Sequence, residues 1–166
     1  MIRTERLILR QARGDDLEDL YRVMSNPEAM RYWSTPPHDS REKTRRFLEH
    51  MIQGDPAQSA DFIVEFEDRA VGKMGFWQLP DIGYIFHPDC WGKGIASEAM
   101  QAVIAYVFAT FPLDYLTADV DPRNAASARL LGRHGFRFTH HAKATYCING
   151  DWVDSNYYRL DRPVSG

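Results

Sequence analysis

The stretch I-G-Y-I-F-H-P-D-C-W-G-K-G-I-A-S-E-A, residues 82–99, decides how this chain is read. It opens as an apolar run, stops at Pro88, turns through Gly92 and Gly94, and continues with small and apolar residues at helical spacing. The order is strand, glycine turn, helix. Glycine at 92 and 94 admits positive φ and leaves no side chain to obstruct a ligand. Successive N–H groups of such a turn can face one concavity, and the new helix adds its unpaired N–H groups and the positive end of its dipole. This is the design of a pyrophosphate cradle, with the charge of Lys93 nearby. Neither of two common nucleotide motifs is present. There is no G-x-x-x-x-G-K-[ST], and no three-glycine fingerprint after a first βαβ strand.

Outward from this segment the hydrophobic period assigns the rest. Upstream, residues 61–66, 70–78 and 82–87 read as strands joined by short connections, hence an antiparallel meander. Residues 5–11 read as a first strand. A first helix is capped by Asp15 or Asp16, carries Leu17, Leu20, Tyr21 and Met24 on one face, and stops at Asn26-Pro27. A second begins near Asp39-Ser40 and buries Thr44, Phe47, Leu48, Met51 and Ile52. Between them lies R-Y-W-S-T-P-P-H, residues 31–38. Downstream come a helix over 96–109, a strand over 115–120, a short helix from an Asn124 cap to Gly135, and strands over 136–148 and 151–160. The Asn149-Gly150 pair between the last two is a hairpin signal. The sum is a single α+β, or mixed α/β, domain over residues 1–166 with one strand–helix–strand crossover.

Composition narrows the function classes. The net charge of −3 lacks the basic excess of a nucleic-acid binder, so no nucleic-acid partner is expected. No apolar run approaches the length of a membrane span, so no membrane partner is expected either. The charged start M-I-R-T-E-R lacks the apolar core of a secretion signal, and Cys90 and Cys147 form no C-x-x-C pair. A reducing, cytoplasmic setting follows as the expectation. The six histidines fall at no metal-ligand spacing, so no metal is expected.

Residues 91–96, W-G-K-G-I-A, resemble motif A of the GNAT acetyltransferases, [QR]-x-x-G-x-[GA], with Trp91 in place of the first Gln or Arg. That departure resembles the RimJ/RimL-like branch, W-G-K-G-x-A-x-E-A. T-E-R-L-I-L-R (4–10), N-A-A-S-A-R-L-L-G-R-H-G-F (124–136) and I-N-G-D-W-V-D-S (148–155) are similar to that branch as well. The resemblance implies the acyl-CoA N-acyltransferase fold: a twisted, mostly antiparallel sheet flanked by helices, with one parallel strand pair that splays apart. It implies transfer of an acetyl group from acetyl-CoA to an amine. By position, main-chain N–H groups of Gly92, Lys93, Gly94, Ile95 and Ala96 would hold the CoA pyrophosphate, and Trp91 at the head of the motif would belong to the same cofactor site. Main chain at Ile85 and Phe86 would pair with the pantetheine arm as an added strand, and Asn124 would touch that arm.

The chemistry needs a neutral amine, a stabilised oxyanion and a leaving thiolate that gains a proton or a hydrogen bond. Many family members supply a tyrosine four residues before the G-F glycine, but that position here is Leu131. In the RimJ/RimL-like branch the serine of N-x-x-S lies near the sulfur, which implies Ser127. Its alternative is a residue of the helix start. Asp81 is the first choice for the base, with a turn-forming role as its alternative, and Asp119 the second. Glu98 reads as a dipole partner. A main-chain N–H near Phe86 would serve the oxyanion. The acceptor is expected against Tyr32, Trp33, His38, Asp154 and Tyr157, a lining rich in aromatics and poor in carboxylates. That lining favours a peptide N-terminus, an amino acid or a small-molecule amine over a polyamine. The rival reading is a CoA-binding sensor or interaction module that has lost turnover. Edges of the final hairpin leave room for a homodimer.

Overall fold

A computed structural model describes residues 1–164. The elements in chain order are β1 (Ile2–Arg3), β2 (Leu7–Arg10), α1 (Leu17–Met24), α2 (Arg41–Ile52), β3 (Ala60–Phe66), β4 (Arg69–Gln78), β5 (Asp81–Phe86), α3 (Ile95–Thr110), β6 (Tyr115–Val120), α4 (Ala125–Arg133), β7 (Arg137–Ile148) and β8 (Asp151–Asp161). All eight strands lie in one sheet, in the order β1-β2-β3-β4-β5-β6-β8-β7. Every neighbouring pair is antiparallel except β5 and β6.

Three local expectations change. The first strand is shorter than 5–11, because the chain folds back at Thr4 and pairs β1 on β2. Thr4 makes that turn: its Oγ1 accepts from the Leu7 N–H at 3.0 Å. Asp16 does not cap α1 with its side chain. The carboxylate turns back to Arg10, whose Nη2 and Nη1 donate to it at 2.7 and 2.9 Å, and it also accepts from the Arg13 N–H at 2.7 Å. Both members of this pair are buried. The α2 start is as expected, with Ser40 Oγ accepting from Lys43 N. Ile52, expected in its buried stripe, is exposed at the helix end. At the closing hairpin both Asn149 and Gly150 have positive φ, as a two-residue turn requires.

The sheet has a core on each face. Leu20, Val23, Met24, Leu48 and Met51 of α1 and α2 pack with Ile63 and Ile85 on one side. On the other, Ile95, Ala99, Met100, Val103 and Val107 of α3 and Leu130 and Leu131 of α4 cover Met74, Phe76, Ile82, Phe86 and Leu116. Leu131 is fully buried in this second core.

One topological detail positions the site. β5 pairs with β4 over most of its length, and β6 pairs with β8 over all six of its residues. β5 and β6 share only Asp81↔Thr117 and Ile82↔Ala118. The half-sheets β1–β5 and β6–β8–β7 therefore meet at one end and open into a V. The polar main chain facing that opening lacks a strand partner.

Candidate active site

Which groups face the V follows from the ladder register. The His87 N–H donates to Val71 O at 2.9 Å, toward β4. Because main-chain polar groups alternate in direction along a strand, those of Ile85 and Gly83 also face β4, while those of Tyr84 and Phe86 face the gap. The expectation of a ligand pairing at Ile85 thus moves by one residue to Tyr84. Ile85 contributes a buried side chain to the wall. The Phe86 carbonyl is already engaged, because Trp91 Nε1 donates to it at 3.1 Å. Folding the indole back in this way sets Trp91 as a half-exposed wall beside the glycine turn.

The glycine turn has the backbone anticipated for it. Gly92 and Gly94 sit at φ +73° and +75°, a region open to glycine. Gly94 is the residue before α3, and the first intrahelical bond runs from Glu98 N to Gly94 O at 3.0 Å. The N–H groups of Ile95, Ala96 and Ser97 therefore have no acceptor within the helix and stand at the positive end of its dipole. Lys93 is exposed and its side chain is not part of the groove wall.

A second layer supports the turn. Arg6 Nη1 donates to Lys93 O at 2.8 Å and Arg6 Nε to Glu98 Oε2 at 2.7 Å. Glu98 Oε1 also accepts from Thr4 Oγ1 at 2.6 Å and from Arg6 N at 2.8 Å. Partial burial alone would raise the Glu98 carboxyl, but these donors outweigh it and hold it below the usual range. Glu98 is thus tied to the β1–β2 turn rather than free to act as a base.

The groove between β5, β6, α3 and α4 has a volume of about 450 Å³. Asn124, Ser127 and Leu130 line its α4 side, and Ala118 and Val120 its β6 side. Asn124 caps α4, its Oδ1 accepting from Ser127 N at 3.1 Å. The Ser127 hydroxyl is hydrogen-bonded to the Tyr84 hydroxyl. Ser127 therefore belongs to the helix start through its main chain and to the groove through its side chain.

A smaller cavity of about 160 Å³ adjoins the groove and shares Tyr32, Trp33, Ile82, Gly83, Asp119 and Asp121 with the groove wall. Its wall includes Tyr32, Trp33, Asp81, Asp119, Asp121, Tyr146 and Asp154. The expected scarcity of carboxylates is overturned, since strand pairing gathers four of them here. Asp121 is paired with Arg123 at 2.7 Å. Asp154 accepts from His141 Nε2 at 3.0 Å and from the Ala144 N–H at 2.9 Å, so it fixes the bulge in β7 between Ala142 and Tyr146. Asp81 and Asp119 have no cationic partner within salt-bridge distance among the described residues. Thr117 Oγ1 donates to Asp81 at 3.0 Å and Tyr146 to Asp119 at 2.8 Å. The Asp81 carboxyl is open to solvent on one side but walled on the others. Desolvation, helped by the like charge of Asp119 and opposed by Thr117, pushes it up to about 6.

Two expected acceptor residues lie elsewhere. His38 pairs its Nδ1 with Thr44 Oγ1 at 2.8 Å and packs edge-on against Phe47, so it closes α2 rather than lining either cavity. Tyr157 stacks on His140 at 4.6 Å between ring centres, on β7. Tyr32 and Trp33 line both cavities, Trp33 while also packing on Phe47. Sequence reading missed Tyr84 and Tyr146. Tyr84 looked like one more aromatic of a strand, and Tyr146 reaches the cavity only through the β7 bulge, which no local pattern announces.

A strand edge without a β-partner that leads to a helix start with free N–H groups is a geometry suited to an extended, phosphate-bearing ligand. Known proteins give the family its name. Residues 6–137 match the model of the acetyltransferase (GNAT) domain. The uncharacterized N-acetyltransferase YoaA of Bacillus subtilis (strain 168) is 30% identical over 172 residues, with 98% of this chain and 97% of the relative covered. The spermidine N(1)-acetyltransferase of Escherichia coli (strain K12) is 24% identical over 153 residues, covering 87% of this chain and 80% of the relative. The crystal structure of a GNAT-family acetyltransferase from Bacillus anthracis superposes with a TM-score of 0.84 at 28% identity, over 96% of this chain and 97% of that one. The chain belongs to the GNAT acetyltransferase family. It is an acetyl-CoA-dependent N-acetyltransferase, with acetyl-CoA as the co-substrate that supplies the activated acyl group.

Proposed function

We propose that this enzyme, of the RimJ/RimL-like branch, acetylates a primary amine that enters as its ammonium ion through the acidic cavity. The observation that carries the reading is the juxtaposition of three features. The cradle at the start of α3, the gap-facing main chain of Tyr84 with the Phe86 N–H, and the uncompensated pair Asp81 and Asp119 line a groove and an adjoining cavity whose walls share Ile82, Gly83 and Asp119. The cradle fits a pyrophosphate, and the gap fits an extended arm that pairs as a strand.

Asp81 takes the proton from the ammonium. With its carboxyl near 6, the gap to an α-ammonium near 7.7 is about two pK units, against about four for an ordinary aspartate near 3.9. The neutral nitrogen attacks the carbonyl carbon, and the oxyanion is met by a main-chain N–H of β5 that faces the gap. The C–S bond breaks with its electron pair on sulfur, and Ser127 gives that sulfur a hydrogen bond. The proton released by nitrogen goes to water. The two uncompensated carboxylates remove the reason for setting polyamines aside. They favour cationic or neutral acceptors over acidic ones. Abundant acetyl-CoA fits a cytoplasmic setting.

The test is an acetylation panel near pH 7 of spermidine, an alanine-initiated peptide, alanine amide and aspartate, read by mass spectrometry. Acetylation of the first three with aspartate inert is expected. Preference for aspartate, or no transfer from acetyl-CoA to any amine, would overturn the reading.

A further inference from the structure

Leu131 stands where many relatives would place a tyrosine, yet a phenol does reach the groove, from β5 rather than α4. Tyr84 lies on the face of β5 that packs toward α3 and α4, and its hydroxyl meets the buried Ser127 hydroxyl across the groove. Neither hydroxyl has another protein partner among the described residues.

We infer that Tyr84 is a positioning residue for the acetyl transfer: it donates to Ser127 Oγ, so that the Ser127 proton is free to meet the departing sulfur. This rests on the assignment of Ser127 proposed above. Direction follows from the chemistry of the two groups. A phenol is the better donor and the poorer acceptor, an aliphatic hydroxyl the reverse. Burial pushes the Tyr84 phenol up to about 12, so it keeps its proton throughout the working range. With its O–H donated to Ser127 Oγ as a hydrogen bond, the phenol fixes the serine rotamer. Ser127 cannot then turn its own proton to Tyr84, and the remaining direction for that proton is the groove. The main chain of Ser127 is already held by Asn124 Oδ1 at 3.1 Å, so two independent contacts set the position of Oγ. The chemistry is conserved in the balance already given. The C–N bond forms, the C–S bond breaks toward sulfur, and Tyr84 neither gains nor loses a proton. The same arrangement explains how transfer proceeds without a tyrosine at position 131: the donor to sulfur is a serine held in place by a phenol from the opposite wall.

The experiment is a double-mutant cycle of Tyr84→Phe and Ser127→Ala, with single-turnover rates of acetyl transfer and KM for acetyl-CoA measured at pH 7.5. Tyr84→Phe keeps the ring, and unchanged acetyl-CoA binding by calorimetry verifies the fold. Expected are a loss of about tenfold in rate for Tyr84→Phe, the worth of one oriented hydrogen bond in the transition state, with KM unmoved. Ser127→Ala should lose ten- to a hundredfold, and Tyr84→Phe should cost nothing more in its presence. If Ser127→Ala is slow but Tyr84→Phe is as fast as wild type, or if the two losses multiply, the positioning role of Tyr84 is wrong while the assignment of Ser127 stands. If Ser127→Ala is as fast as wild type, both fall.

Discussion

Replacing Gly94 by alanine probes the cradle at its tightest point. Gly94 sits at φ +75°, where an L-residue costs about 1–2 kcal/mol. An added Cβ would stand 3.3 Å from Arg6 Nη2, so the guanidinium that bridges Lys93 O and Glu98 would also have to yield. Gly92 is the internal control. It has nearly the same φ, +73°, but a Cβ there meets nothing within 4 Å. Backbone strain is common to both variants, and the Arg6 contact belongs to Gly94→Ala alone. Where binding requires the positive φ that alanine resists, the strain is expected to appear as lost affinity. One to two kcal/mol corresponds to a rise in the acetyl-CoA Kd of about five- to thirtyfold. Gly92→Ala should fall at the low end and Gly94→Ala at or above the high end. Isothermal titration calorimetry with acetyl-CoA measures both, and the thermal midpoint without ligand checks that the fold persists. Wild-type Kd for both variants, with unshifted midpoints, would show that the positive φ values play no part in holding the ligand.

Three further outcomes are expected. Asp81→Asn should remove the acid limb of the kcat/KM profile: Asp81 accepts a proton only when ionised, so wild-type activity rises as pH passes upward through about 6. Persistence of that limb in the variant assigns the base elsewhere. Asp16→Asn breaks the buried bidentate pair with Arg10 and should lower stability by about 3 kcal/mol, with Glu65 still holding the guanidinium. For a chain of this size that is a fall in thermal midpoint of about 6–12 °C. The pair, with the Arg13 N–H, outweighs burial and depresses the folded Asp16 carboxyl. Its contribution is therefore complete above about 3.9 and lost as pH falls through the folded value, and the gap between wild type and variant should close in acid. Glu98→Gln weakens the charge-assisted bonds to Arg6 and Thr4. It should raise KM for acetyl-CoA several-fold with little change in kcat, and a fall in kcat alone would argue against a purely supporting role.

Whatever depends on near neighbours in the chain was open to reading from the sequence. The glycine turn at 92–94, the Asn124 cap, the Asn149-Gly150 hairpin and the antiparallel meander each rest on φ preferences, one side chain and its next few N–H groups, or a two-residue period. The order of elements and the positive-φ glycine turn before α3 followed from these. The Asp16 and Ile52 expectations failed because a buried arginine 6 residues upstream and the end of α2 outside the core overrode local pattern. On the acceptor side, Tyr32, Trp33, Asp81, Asp119 and Asp154 could be named from the sequence, but how they come together could not. Asp81 and Asp119 lie on strands that share only two paired positions, Tyr146 arrives by a bulge, and His38 turns away to Thr44. Their meeting or parting is set by register and by where the half-sheets diverge. Tyr84 and Ser127, 43 residues apart, meet for the same reason. A one-residue change of strand register would have reversed which main chain and which side chains face the groove, and only the assembled sheet fixes that choice.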